Sequence, residues 1–123
     1  SIYPFKNIKK GVIFVKLALL NSTVLTSNGS FKIKDITLEE ARQLVQNNKN
    51  NILNCIGHEA TANTLTKLLN LDIKYERNSL IQEKGQLALV LKLNGRVPEN
   101  TILTEAEMEN MGYTLKLLEK IED

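Results

Sequence analysis

Histidine and cysteine occur once each in these 123 residues, as His58 and Cys55, and that scarcity excludes whole classes of chemistry. One cysteine cannot close an internal disulfide. With one histidine, no cysteine pair and no clustered aspartates, the chain offers no transition-metal site of its own, so no metal and no other cofactor is expected. Cys55 is read as a small core hydrophobe. Also missing are the Gly-x-x-x-x-Gly-Lys-Ser/Thr phosphate loop and the Gly-x-Gly-x-x-Gly turn. The Gly-x-Ser-x-Gly elbow that would present a serine nucleophile is absent too. No apolar run reaches the ~20 residues of a membrane span and no secretory signal is present, so the expectation is a cytoplasmic protein without membrane contact. A net charge of +2 permits an anionic ligand but falls short of what a protein coating duplex DNA carries.

The length suits one compact domain with a modest core, which would gain from pairing with a second copy. Residues 1–11, with Pro4 and three lysines, show no periodicity and read as a linker or leader before a domain at 12–123. Ser1 is no initiator residue, which suits an expression scar or a domain cut from a longer chain. Residues 12–20 form a continuous apolar run and predict a central strand buried on both faces. Phe31 and Ile33, alternating with lysines, predict a short strand. Thr37 and Glu40 have capping-box spacing before an apolar stripe of Leu38, Ala41, Leu44 and Val45, which predicts a helix.

Residues 52–56 predict a second buried strand, 59–70 a helix, and 72–75 a short strand leading to Arg77. Residues 86–93, with Leu87, Leu89, Leu91 and Leu93 on one face, predict a clear strand. Thr104 and Glu107 repeat the capping box ahead of a short helix, and residues 112–121 predict a closing strand. Strands and helices alternate irregularly, so the fold class is α/β or α+β: a single domain with a mixed central sheet flanked by helices.

The segment that carries chemistry is strand–Gly57–His58–helix. A glycine there permits a sharp turn and close backbone approach, and the following helix offers free amides and the positive end of its dipole to a phosphate. Arg77 and Arg96 fall in turns, where their forked donors can reach phosphate oxygens. Glu99 follows Arg96 by three residues, after Pro98. Asn21 and Ser22 stand at the carboxyl end of the first strand, the usual ligand side of such sheets. One imidazole, two guanidiniums and a carboxylate on turns outline a polyanion pocket. A phosphodiester cut there without a tightly held metal points to RNA, which brings its own 2′-hydroxyl nucleophile.

The hexapeptide Ile56-Gly57-His58-Glu59-Ala60-Thr61 resembles the Ile-Gly-His-Asp-x-Thr signature of the viral type III anti-CRISPR ring nucleases. Ser22, Arg77, Arg96 and Glu99 stand where that family places a serine, an arginine and an arginine–glutamate pair. The segment Ile102-Leu103-Thr104-Glu105-Ala106-Glu107 and the final strand also match. The resemblance runs through most of residues 12–122, and the extra leader is its main departure. It implies a homodimer enclosing one cyclic tetra-adenylate, cut to linear di-adenylates with 2′,3′-cyclic phosphate ends. Such domains also occur fused to CRISPR ancillary ribonucleases that the same messenger switches on, and the basic leader suits an origin in such a fusion.

With roles assigned by charge, His58 would be the general acid, with Glu99 orienting it or contacting a ribose or adenine. Arg77 and Arg96 would hold phosphates, and Asn21, Ser22 and Gly57 would contact the ligand. Two other readings compete: a module that binds the messenger without cutting it, and a dimeric regulator of DNA or protein. The near-neutral helices at 38–46 and 59–70 weigh against the regulator, because duplex recognition calls for a basic helix.

Overall fold

The computed structural model describes residues 6–8, 11–13, 15–72 and 74–123. Leu17, Ala18, Leu19 and Leu20 are all buried, so neither face of this four-residue stretch meets water, and it takes an interior place in the sheet, between two other strands. In chain order the elements are β1 (Lys6–Ile8), β2 (Gly11–Ile13), β3 (Leu17–Leu20), β4 (Ser30–Asp35) and α1 (Leu38–Asn47). They continue with β5 (Ile52–Asn54), α2 (Glu59–Leu68), β6 (Leu87–Leu93), α3 (Glu105–Met111) and β7 (Tyr113–Glu122).

Five strands form one mixed sheet in the order β4-β7-β6-β3-β5, while β1 and β2 pair as a separate antiparallel hairpin. β3 runs parallel to both β5 and β6, and β7 runs antiparallel to β6 and β4. The carboxyl ends of β5, β3 and β6 therefore lie side by side. All three helices contribute to the core on one face, where Leu17, Leu19, Leu87, Leu89, Leu91, Leu115 and Leu117 meet Leu44, Val45, Leu65, Leu68 and Met108. The alternate residues Ala18, Leu20, Ala88, Val90 and Leu118 form a second, smaller cluster, against which Phe31, Cys55 and Leu80 pack. The alternation along β6 that predicts one leucine face is thus the two-residue period of a strand with different layers above and below. The fold is a single-domain α+β arrangement with a five-stranded mixed sheet.

Both capping boxes form as the spacing predicts: Thr37 with Glu40 at α1, and Thr104 with Glu107 at α3. Two expectations need correction. The strand predicted over 12–20 is broken: Gly11–Ile13 belongs to the hairpin, and the central strand begins only at Leu17, with Phe14 outside the described residues. Apolar continuity cannot report where a ladder stops, because Val15 is buried without being in a strand. The strand predicted over 72–75 is not formed among its described residues, Ile73 lying outside them. That segment is held by side chains instead. The Tyr75 hydroxyl donates to the Gly57 carbonyl at 3.2 Å and Asn78 Nδ2 donates to the Asn54 carbonyl at 2.9 Å. Within the stretch read as a leader, Lys6–Ile8 is a strand paired with Gly11–Ile13; residues 1–5, 9 and 10 are outside the described set.

Candidate functional site

After β5 the chain turns through residues 55–57 and enters α2 with His58 as its N-cap. Caps are usually Ser, Thr, Asp or Asn, whose oxygen accepts a free amide of the first turn. Here an imidazole nitrogen takes that part: the Thr61 N–H donates to His58 Nδ1 at 3.3 Å, and the Thr61 hydroxyl lies 2.9 Å from the same atom. The ring is half-buried. With Nδ1 engaged by the helix, Nε2 is the ring nitrogen left for a ligand.

His58 borders two cavities. The first, about 440 Å³, is lined by Asn21, His58, Thr61, Leu93, Asn94, Gly95 and Arg96. It sits at the carboxyl ends of β3 and β6, beside the first turn of α2. The second, about 450 Å³, is lined by His58, Glu59, Ala60, Asn63 and the loop of Glu99, Asn100, Thr101 and Ile102. One side is therefore cationic and amide-rich, and the other carries two carboxylates.

The sequence fragments that build these walls are anchored by core residues. Val97, only 1 % exposed, is part of the main core, which leaves its neighbour Arg96 exposed. Gly95 seats Met111, since a Cβ there would come within 3.0 Å of the thioether. The loop after Glu99 is tied to α2 where the Leu103 N–H donates to the Thr64 hydroxyl at 3.1 Å.

Asn21, His58 and Arg96 thus converge on one cavity, and Glu99 borders the neighbouring one across His58. Arg77 is not among the lining residues. Its guanidinium lies over Gly57, where an added Cβ would be 3.6 Å from Nη2 and 3.8 Å from Nε. Gly57 itself is not in the left-handed region, so its value is the open space beneath Arg77 rather than a backbone angle. Ser22 follows Asn21 at the end of β3, exposed and outside both linings. Thr61, Asn94 and Asn63 are lining residues that the sequence reading did not select. The signal for Thr61 was its place three residues after His58, the spacing at which an N-cap side chain meets its amide partner.

Cys55 is half-buried, and burial pushes its thiol above the ordinary value, which keeps it protonated and unreactive. Among the described residues no group of three or more His, Cys, Asp or Glu side chains gathers as a metal site, and no helix is long and apolar enough to cross a membrane.

Relatives share this chain over most of its length. The protein YddF of Bacillus subtilis (strain 168), described as uncharacterized, is 36 % identical over 108 residues, covering 88 % of this chain and all of the relative. ORF117 of Acidianus two-tailed virus is 29 % identical over 116 residues, covering 91 % of this chain and 99 % of that protein. Among solved structures, B116 of Sulfolobus turreted icosahedral virus superposes with a TM-score of 0.71 at 19 % identity, over 85 % of this chain and 98 % of its own, and so shares the fold. The STIV B116-like family model matches residues 17–115, from the first residue of β3 into β7 with both cavity walls inside it, and the chain belongs to that family.

Proposed function

We propose that this protein is a metal-independent ring nuclease. Two copies would bind one cyclic tetra-adenylate and cut it to linear di-adenylates with 2′,3′-cyclic phosphate ends, switching off type III CRISPR signalling. The observation that carries the reading is the convergence of His58, Arg96 and Asn21 on one open cavity at the head of α2. The sequence signature around His58 supports it from the side of the residues. Relatives in both viruses and a bacterium suit either use of such an activity, as a suppressor of defence or as its off-timer.

The chemistry follows from the placement. A phosphate in the Arg96 cavity meets the guanidinium, beside the positive end of the α2 dipole. The adjacent ribose 2′-hydroxyl attacks the phosphorus in line and gives up its proton to water. The P–O5′ bond breaks, and protonated His58 gives its Nε2 proton to the departing oxygen, a contribution typically worth ~10²–10⁴ in rate. Arg96 balances the charge gathered on the phosphate. Glu99, in the second cavity that His58 borders, would meet ribose hydroxyls or a base amino group. A cavity of about 440 Å³ has the size of a small-ligand site and holds only part of a four-nucleotide ring, so the reading requires a two-fold partner to supply the other half.

The test is incubation with cyclic tetra-adenylate in excess EDTA and mass analysis of the products. Linear di-adenylate with cyclic phosphate ends over many turnovers is expected. Tight binding without cutting would make the protein a sink for the messenger, and no binding would remove the reading altogether.

A further inference from the structure

The groups nearest Nδ1 of His58 both belong to Thr61, and they differ in what they can do. The backbone N–H, 3.3 Å away, can only donate. It therefore favours a lone pair on Nδ1, and a neutral ring with its lone pair there carries its hydrogen on Nε2. The hydroxyl, 2.9 Å away, can donate to that lone pair. It can also rotate and accept from Nδ1–H once the ring holds both protons.

We infer that Thr61 is a positioning residue for His58: its amide selects the resting tautomer with hydrogen on Nε2, and its hydroxyl, donating to Nδ1 at rest, turns to accept from Nδ1–H when the ring acts as an acid. Its use in catalysis rests on the ring-nuclease reading; its effect on the ring does not. In the acid step the imidazolium passes its Nε2 proton to the leaving 5′-oxygen and keeps hydrogen on Nδ1. At that moment Nδ1–H faces the Thr61 amide, which cannot accept, so the hydroxyl is the one partner on that side able to follow the ring through the step. Exchange with water then restores the resting tautomer. Thr61 thus resembles the third member of a hydrolytic triad in task, since it orients the ring and supports its charged form without touching the reacting atoms. The groups around the ring on its other sides are Arg96 in one cavity and Glu59 and Glu99 in the other, and changes confined to Thr61 leave all three in place.

Because the chain has one histidine, long-range ¹⁵N–¹H spectra of the uniformly labelled protein read this ring alone. In alkaline buffer the wild type is expected to show hydrogen on Nε2; in acidic buffer the wild type and Thr61→Ser are expected to show an Nδ1–H proton protected from exchange with water, and Thr61→Val to lose that protection. A neutral wild-type ring with hydrogen on Nδ1, or an acidic Thr61→Val ring whose Nδ1–H is as protected as in wild type, overturns the inference. With cyclic tetra-adenylate, Thr61→Val is expected to lose about ten-fold or more in kcat at unchanged KM, with Thr61→Ser restoring it, a loss in the range of a mispositioned proton donor. If the spectra behave as expected and no variant cuts the ring, the positioning role stands and the nuclease reading falls. If the wild type cuts and Thr61→Val cuts equally fast, the positioning role falls and the nuclease reading stands.

Discussion

At the head of α2 a single side chain both caps a helix through Nδ1 and borders two cavities with the rest of its ring. Replacing it therefore has two separable consequences. On the ring-nuclease reading His58→Ala removes the proton donor, and cleavage is expected to drop by ~10²–10⁴. Binding should stay near wild type, because Arg96 and the positive end of the α2 dipole remain. It also removes a helix cap, at a cost of about 1 kcal/mol by the usual scale for such caps. On the same reading Arg96→Ala should weaken binding and cutting together, since its charge would face the phosphate throughout; a calorimetric titration beside a rate measurement separates the two patterns. The neighbouring glycine gives a contrasting case. A methyl at Gly57 would meet Arg77 at ordinary contact distance, and the backbone there is open to any residue. Gly57→Ala is expected to leave thermal stability unchanged or raise it by ~0.4–1 kcal/mol through the unfolded chain. A loss of several kcal/mol on thermal denaturation would show that the turn is held in a conformation only glycine tolerates.

Helices were the most legible elements, because their start signals are local. Thr37 with Glu40 and Thr104 with Glu107 name two helix starts three residues at a time, and both boxes are formed. The third start, at His58, was legible only as a motif, since an imidazole is not a usual cap. Strands were legible where an alternation has a face to report, as in the Leu87–Leu93 strand. They were misjudged where pairing depends on a distant partner: the run 12–20 carries no mark of where its ladder begins, and 72–75 is fastened by Tyr75 and Asn78 without a ladder. The candidate site shows the same division. His58, Arg96 and Asn21 stood out by residue type and by lying next to turns, whereas Asn63 and Asn94 gain their place only from the folding of separate segments onto one cavity.

The boxes also fix an acid response. Hydrogen bonds from the Thr37 backbone and then its hydroxyl hold the Glu40 carboxyl below its ordinary value of 4.5, and Thr104 does the same for Glu107. A carboxyl depressed in the folded state favours folding above its unfolded value, and that contribution disappears as pH falls through the lower folded one. Glutamine can fill the same box without titrating. The Glu40→Gln, Glu107→Gln double variant should therefore lose less stability than wild type when denaturant midpoints are followed downward from pH about 4.5. Parallel acid limbs for the two proteins would show that the boxes do not couple to protonation.

At the scale of the whole molecule, the parallel pairing of β3 with β5 and β6 gathers the carboxyl ends of three strands at one edge, and that edge offers one imidazole per chain. A four-nucleotide ring with two-fold symmetry has two equivalent bonds to present, so the proposed reaction uses each chain's His58 once. This has a consequence that a monomeric enzyme would not share. In a hybrid of one wild-type and one His58→Ala chain, only one of the two facing phosphodiesters meets a proton donor. The first cut opens the ring, and the second waits until the linear product leaves and rebinds in the other orientation. Co-expressed hybrids carrying two different affinity tags are therefore expected to accumulate linear tetra-adenylate, whereas wild type yields di-adenylate with little of that intermediate. Titration should place one ring on two chains. A stoichiometry of one ring per chain, or hybrids whose products match wild type throughout the time course, would mean that one chain performs both cuts. The open cavity beside Arg96 would then have to accept a second phosphate by turning the ring within a single copy.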